Sequence, residues 1–170
     1  MSVVFKYLRL PEPDLDAVLA SEAEADRLWD RLVEEYSWDL PESSELGIAD
    51  ADTLWDAIHY VLDPERRAGR TDSGSRAAQA VRGAEPFSEP RGFGWIGYSR
   101  PLQVRAIAAG LADVDILSLA APLADELGAA DRRDAIYRSG EPRFIAHWFE
   151  PMRALYQEAA SRSQAVLVFQ

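Results

Sequence analysis

No cysteine occurs in this chain, which excludes disulfides, thiolate metal sites and cysteine nucleophiles together. Histidine is scarce too. His59 and His147 are the only two, far from the i, i+4 pairing of a zinc-binding helix. Lysine occurs once, as Lys6, and the other seventeen basic residues are arginine. No stretch approaches the ~18 consecutive apolar residues that cross a bilayer. The apolar run at residues 1–10 contains Lys6 and Arg9 and is closed by Pro11. It is too short for a secretory leader's core and has no small-residue cleavage site. These absences together lead to the expectation of a cytoplasmic protein with no membrane partner.

What is plentiful is acid. The net charge is -11 over 170 residues, with 29 acidic side chains. Fifteen of them fall between Glu12 and Asp56, against Arg27 and Arg31 alone, and the rest of the chain is close to neutral. Nucleic-acid binding needs a basic footprint, so this field argues against a nucleic-acid partner. It fits either a solvated helical face or a docking face for a protein partner with a basic surface. With 48% hydrophobic residues, the chain is expected to bury an ordinary core as one domain over residues 1–170.

Periodicity and punctuation outline the elements. Residues 3–10 are β-branched and aromatic and predict a strand. Pro13 opens a helix to about Ala20, and Ser21 with Glu24 has the capping-box spacing before a stripe of Leu28, Trp29, Leu32, Val33 and Tyr36. Residues 38–47 are expected as loop, with Asp50 or Asp52 capping the next helix. That helix carries Leu54, Trp55, Ile58, Val61 and Leu62 on one stripe, and Pro64 ends it. Residues 63–91 are expected as an irregular surface excursion holding one short helix, 75–82, stopped by Gly83. Pro101 starts a helix, and short helices are expected over 114–127. Pro142 starts a long helix that runs through Pro151 with a kink near Trp148. Its stripe includes Phe144, Trp148, Met152 and Tyr156. Residues 165–169 predict a closing strand.

Four blocks occur together in order: residues 51–62 (ADTLWDAIHYVL), 80–86 (AVRGAEP), 92–101 (GFGWIGYSRP), and 152–160 (MRALYQEAA) followed by 165–169 (AVLVF). In this combination the chain resembles the YfbM-like family of bacterial domains of unknown function, over nearly its whole length. The resemblance implies a single α+β domain, with a central mixed or antiparallel sheet containing the N- and C-terminal strands and packed with several helices. It implies no established activity, substrate or catalytic residue. Family members often carry a second histidine and a glycine after the tryptophan, where this chain has Asp56 and Ala57. Their short Thr-Gly turn is replaced here by the arginine-rich segment 63–74.

Conventional catalytic equipment is missing. Ser73, Ser75, Ser88 and Ser99 have no G-x-S-x-G context. Asp56 and Asp63 are the carboxylates available to join the histidines in a metal site, but acids are too abundant for this to mark one. Gly92, Gly94 and Gly97 spell G-x-G-x-x-G without the preceding strand and helix start that a dinucleotide needs. They instead point to positive φ or a bulge. The composition calls for no metal and no cofactor. Two readings remain. The first is a non-catalytic binding or protein-interaction domain that meets its partner through residues 12–56. The alternative is a small-molecule-binding protein or enzyme with a pocket around Trp55, His59, Tyr98 and Arg100. There His59 shares a helix face with Trp55, and Tyr98 supplies a second aromatic wall.

Overall fold

The computed structural model of the chain describes residues 5–35, 47–52, 54–68, 74–87, 94–125, 127 and 141–170. Its centre is a sheet of β1 (Phe5–Leu10), β2 (Ile48–Asp52), β3 (Glu85–Pro86), β4 (Trp95–Ser99) and β5 (Ala165–Phe169). The strands lie in the order β2-β1-β5-β4-β3. Every neighbouring pair is antiparallel, so the sheet is antiparallel rather than mixed. β5 runs between β1 and β4 and is buried at all five positions. An unbroken Ala-Val-Leu-Val-Phe run is what a strand with both faces covered requires.

Helices cover the two faces unequally. On one side α1 (Glu12–Ala20) and α2 (Glu22–Glu35) lay Leu15, Val18, Leu28 and Leu32 onto Leu8, Leu10 and Leu167. The other face carries the larger cluster, built on Tyr7, Val166 and Val168. It is covered by α3 (Trp55–Leu62), α5 (Arg76–Arg82), α6 (Pro101–Ala112), α7 (Ile116–Ala120) and α8 (Pro142–Ser161). The short α4 (Pro64–Arg67) follows α3 directly. α8 continues through Pro151 as one helix. The result is a single α+β domain.

Three expectations are corrected. Asp50 and Asp52 belong to a strand rather than to a helix cap, because the 48–52 segment pairs with β1 and Asp50 accepts a 2.6 Å hydrogen bond from Lys6. Segment 63–91 is more than a surface excursion: α5 buries Ala78, Ala80 and Val81, and Glu85–Pro86 pairs with β4. The face of α8 that goes inward carries Ile145 and Phe149, so Phe144 is left 49% exposed. Most of the loop expected at 38–47 lies outside the described residues, as do Tyr36, Ser73, Ser88 and Gly92.

Candidate functional site

Trp55 opens α3, and its ring stacks on Phe5 with centroids 4.1 Å apart and planes 4° from parallel. The Arg82 guanidinium stands 5.4 Å from the ring centroid. One turn further along α3, His59 is 2% exposed, and its Nε2 lies 3.8 Å from Oδ2 of Asp63, itself 0% exposed. Asp63 ends the helix by donating its N–H to the His59 carbonyl (2.9 Å), and its Oδ1 accepts the Glu65 N–H (3.0 Å). The carboxylate therefore joins α3 to the first turn of α4, where N–H groups lack helical partners. This imidazole is sealed beneath the surface, out of reach of a substrate.

Tyr98 and Arg100 stand elsewhere. Tyr98 packs with the cluster beneath α1 and α2, edge-on to Phe87 at 5.4 Å. Its hydroxyl donates to Glu85 (2.8 Å), which also accepts from Gln103 Nε2 (2.8 Å). Gln103 in turn accepts the Arg100 N–H (2.7 Å), while the Arg100 guanidinium donates to Glu12 (3.2 Å) and Asp16 (2.9 Å) of α1. The structure thus keeps Trp55 with His59, and Tyr98 with Arg100, on opposite sides of the sheet. The hydrogen bond from Tyr98, then that from Gln103, hold the Glu85 carboxyl below its ordinary value, and the bond to Glu85 raises the Tyr98 phenol. A carboxylate kept ionised in this way is a weak base and a good clamp. Tyr98→Phe is expected to raise the Glu85 titration midpoint, read by NMR of its side-chain carbon. An unmoved midpoint rules the clamp out.

A second polar network is not legible in the sequence, because its two tyrosines read as apolar positions of β1 and α8. Two fully buried phenols reach the last turn of α5: Tyr7 donates to the Val81 carbonyl (3.1 Å) and Tyr156 to the Ala80 carbonyl (3.0 Å). Buried Ser99 accepts the Ala84 N–H (3.0 Å). The carbonyls that a helix leaves without partners at its end are here satisfied by side chains from β1 and α8. That role is structural, and burial pushes both phenols up from their ordinary value.

Open space lies at two other places. A crevice of about 330 Å³ runs between α1 and α2, with Val18 and Leu28 among its walls. A larger groove, of about 770 Å³, runs between the start of β2 and the exposed side of α8, and His147 is on its wall. Among the described residues no three His, Cys, Asp or Glu side chains come together to hold a metal ion. Gly97 sits inside β4 rather than at a helix start, and Gly94 has φ +79° beside the bulge between Trp95 and Gly97. Among the described residues no single helix is long and apolar enough to cross a membrane.

The crystal structure of YfbM from Escherichia coli, described as a protein of unknown function, has the same fold: TM-score 0.66 and 17% identity over 98% of each chain. No curated protein matches the sequence. The family described as "Domain of unknown function (DUF1877)" matches residues 1–169, nearly the full length. The chain therefore belongs to the DUF1877 family, with a YfbM-like fold.

Proposed function

We propose that this domain is a non-catalytic protein-interaction module whose acidic α1–α2 face receives a partner with a basic surface. The observation that carries the reading is the outer line of α2. Glu22, Asp26, Asp30 and Glu34 are all exposed and recur every four residues, so they stand along one side of the helix, about 6 Å apart in rise. Asp14 and Asp16 are exposed on the neighbouring α1. Leu15, Val18, Leu28 and Leu32 are held on the sheet, Asp16 is tied to Arg100 (2.9 Å), and the four α2 carboxylates are exposed on the outer side. A field of one sign on one face steers association and sets partner choice more than it sets affinity.

Two further facts favour binding over catalysis. His59 is sealed, and the Glu85 carboxylate is held by two donors. The reading includes a cytoplasmic location, in keeping with a chain free of cysteine. It excludes nucleic acid, whose phosphates meet a net charge of -11.

Capture from the native lysate, identified by mass spectrometry, tests it. With Glu22, Asp26, Asp30 and Glu34 all changed to Lys, recovery of the basic partner is expected to fall at least about tenfold, matching a coupling loss of ~1.4 kcal/mol. Recovery should also fall with added salt in the wild type. Equal recovery by the two proteins would remove the face from consideration.

A further inference from the structure

We infer that the partner of the acidic face is a second copy of this chain, whose α5–α6 surface is the basic surface that α2 meets. This rests on the reading of an acidic docking face and identifies what docks there.

The helices on the two faces of the sheet differ in charge. α1 carries three acidic residues and α2 six, against Arg27 and Arg31. α5 and α6, on the opposite face, carry none, and their charged residues are Arg76, Arg82 and Arg105. These two helices form one surface. A Cβ on Gly110, near the end of α6, would stand 3.0 Å from that of Arg76 at the start of α5. Ala84, just past the end of α5, gives its N–H to Ser99, just before the start of α6. The helices therefore lie side by side and run in opposite directions. Arg76, Gln79 and Arg82 recur every three residues on the outer side of α5. On α6, Leu102, Arg105, Ala109 and Ala112 recur at helical spacing, and all four are exposed. Arg76 and Arg105 form no ion pair among the described residues, and Arg82 lies over the Trp55 ring.

Each face also exposes an apolar residue among its charges. Leu102, one turn before Arg105, is 73% exposed, the most of any large apolar side chain among the described residues. Val33, one turn on from Asp30 and two from Asp26, is 45% exposed on the acidic side of α2. Glu22, Asp26, Asp30 and Glu34 form no ion pair among the described residues. The two surfaces thus match in make-up and oppose in sign, which is the complementarity that selects a partner. The net charge of -11 opposes approach. At physiological salt it is screened beyond about 8 Å, whereas facing side chains meet inside that distance. Because the faces lie on opposite sides of the sheet, the contact is head-to-tail. A copy that has given its α2 still presents α5 and α6 to a third, so growth continues past the dimer.

Sedimentation velocity of the purified full chain, at physiological salt and up to about 1 mM, tests this. The average mass is expected to rise with concentration and to pass that of a dimer. The four-lysine α2 variant should stay monomeric, and so should the double variant Arg76→Glu, Arg105→Glu. Circular dichroism shows that both fold, as the exposed positions predict. An equimolar mixture of the two variants offers each reversed face an opposite one, and there association should return. Leu102→Ser, with every charge kept, should weaken association tenfold or more. A mass that stays at the monomer or stops at the dimer overturns the inference. So does association that persists in either charge variant, fails to return in the mixture, or ignores Leu102→Ser. If the chain is monomeric while capture from lysate still depends on the α2 acids, the second copy is overturned and the acidic face stands with another basic protein on it. If capture ignores those acids as well, the face falls with the inference.

Discussion

Gly97→Val is expected to leave little folded protein. Residues 82–85, leaving α5, run directly against the backbone of β4. A Cβ at Gly97 would overlap the Arg82 carbonyl oxygen and stand 2.8 Å from that of Glu85. Both obstacles are main chain, so no rotamer change relieves them. Gly83, at φ +85°, completes the contact from the other side, and a Cβ there would lie 2.6 Å from the Tyr98 nitrogen. Overpacking ordinarily costs about 1–3 kcal/mol. Here a retreat of the 82–85 segment also draws Ala80 and Val81 from their phenols and Ala84 from Ser99. Gly97→Ala alone is expected to cost about 3 kcal/mol, and the extra methyls of valine more, against a total stability of about 5–15 kcal/mol. Urea unfolding measures it: with m near 2 kcal/mol/M, the alanine variant's midpoint should fall by about 1.5 M. Gly74→Ala is the contrast. It has open space around the new Cβ but φ +63°, so it should cost only the ~1–2 kcal/mol of a left-handed residue. Equal midpoints for Gly97→Ala and the wild type would refute the close approach.

Alkaline unfolding is expected to be steep, and to be steep because of two residues. Tyr7 and Tyr156 are fully buried, and burial comes first among the causes that raise their phenols. In the unfolded chain both titrate near pH 10. A group whose folded value is raised contributes stability that is complete below the unfolded value and is lost as pH climbs above it. Each phenol should therefore remove about 1.4 kcal/mol per pH unit beyond pH 10, and the pair about 2.7 kcal/mol. Tyrosinate absorbance and circular dichroism followed together provide the check, with the last two of the six tyrosines ionising only as the fold is lost. The double variant Tyr7→Phe, Tyr156→Phe should flatten this slope. It should also lower stability at neutral pH by about 1–3 kcal/mol for each carbonyl left without a donor. Reversible ionisation of all six phenols in the folded protein would contradict the burial.

Local pattern and three-dimensional arrangement were unequally visible in the sequence. The N-terminal strand, the helices at 12–20, 22–35, 55–62, 76–82, 101–112 and 142–161, and the closing strand are near where periodicity and capping put them. β2 escaped because Ile-Ala-Asp-Ala-Asp has little β-propensity. It is a strand by virtue of its pairing with β1, and tertiary pairing overrides local preference. β3 escaped because it is two residues long and includes Pro86, which a strand accepts only at an edge.

The expected pocket fared as a test of parity. Trp55 and His59 follow each other on one helix, so i, i+4 spacing brings them together without further information. Bringing Tyr98 to them depends on which face of β4 it occupies. Trp95 faces the α1–α2 side, and strict alternation from it would put Tyr98 on the His59 side. The bulge between Trp95 and Gly97 inserts one residue, and Tyr98 returns to the α1–α2 side opposite Leu167. A one-residue offset exchanges the faces of everything after it. Gly94 and Gly97 mark the bulge in the sequence, whereas the change of face it causes depends on where along β4 the extra residue falls. The phenol network was hidden for a different reason: a tyrosine and a phenylalanine satisfy the same apolar stripe, and only the position of the α5 carbonyls makes the hydroxyl necessary.

The place of β5 has a consequence for how the sheet is closed. Among the described strands, residues 165–169 come last in sequence and lie between β1 and β4. Without β5, the β2–β1 pair and the β4–β3 pair have no strand between them, so a chain cut after residue 164 is expected to leave the sheet unjoined. The central strand is thus supplied from far along the chain, and pairing of that sequence separation is expected to slow closure of the sheet.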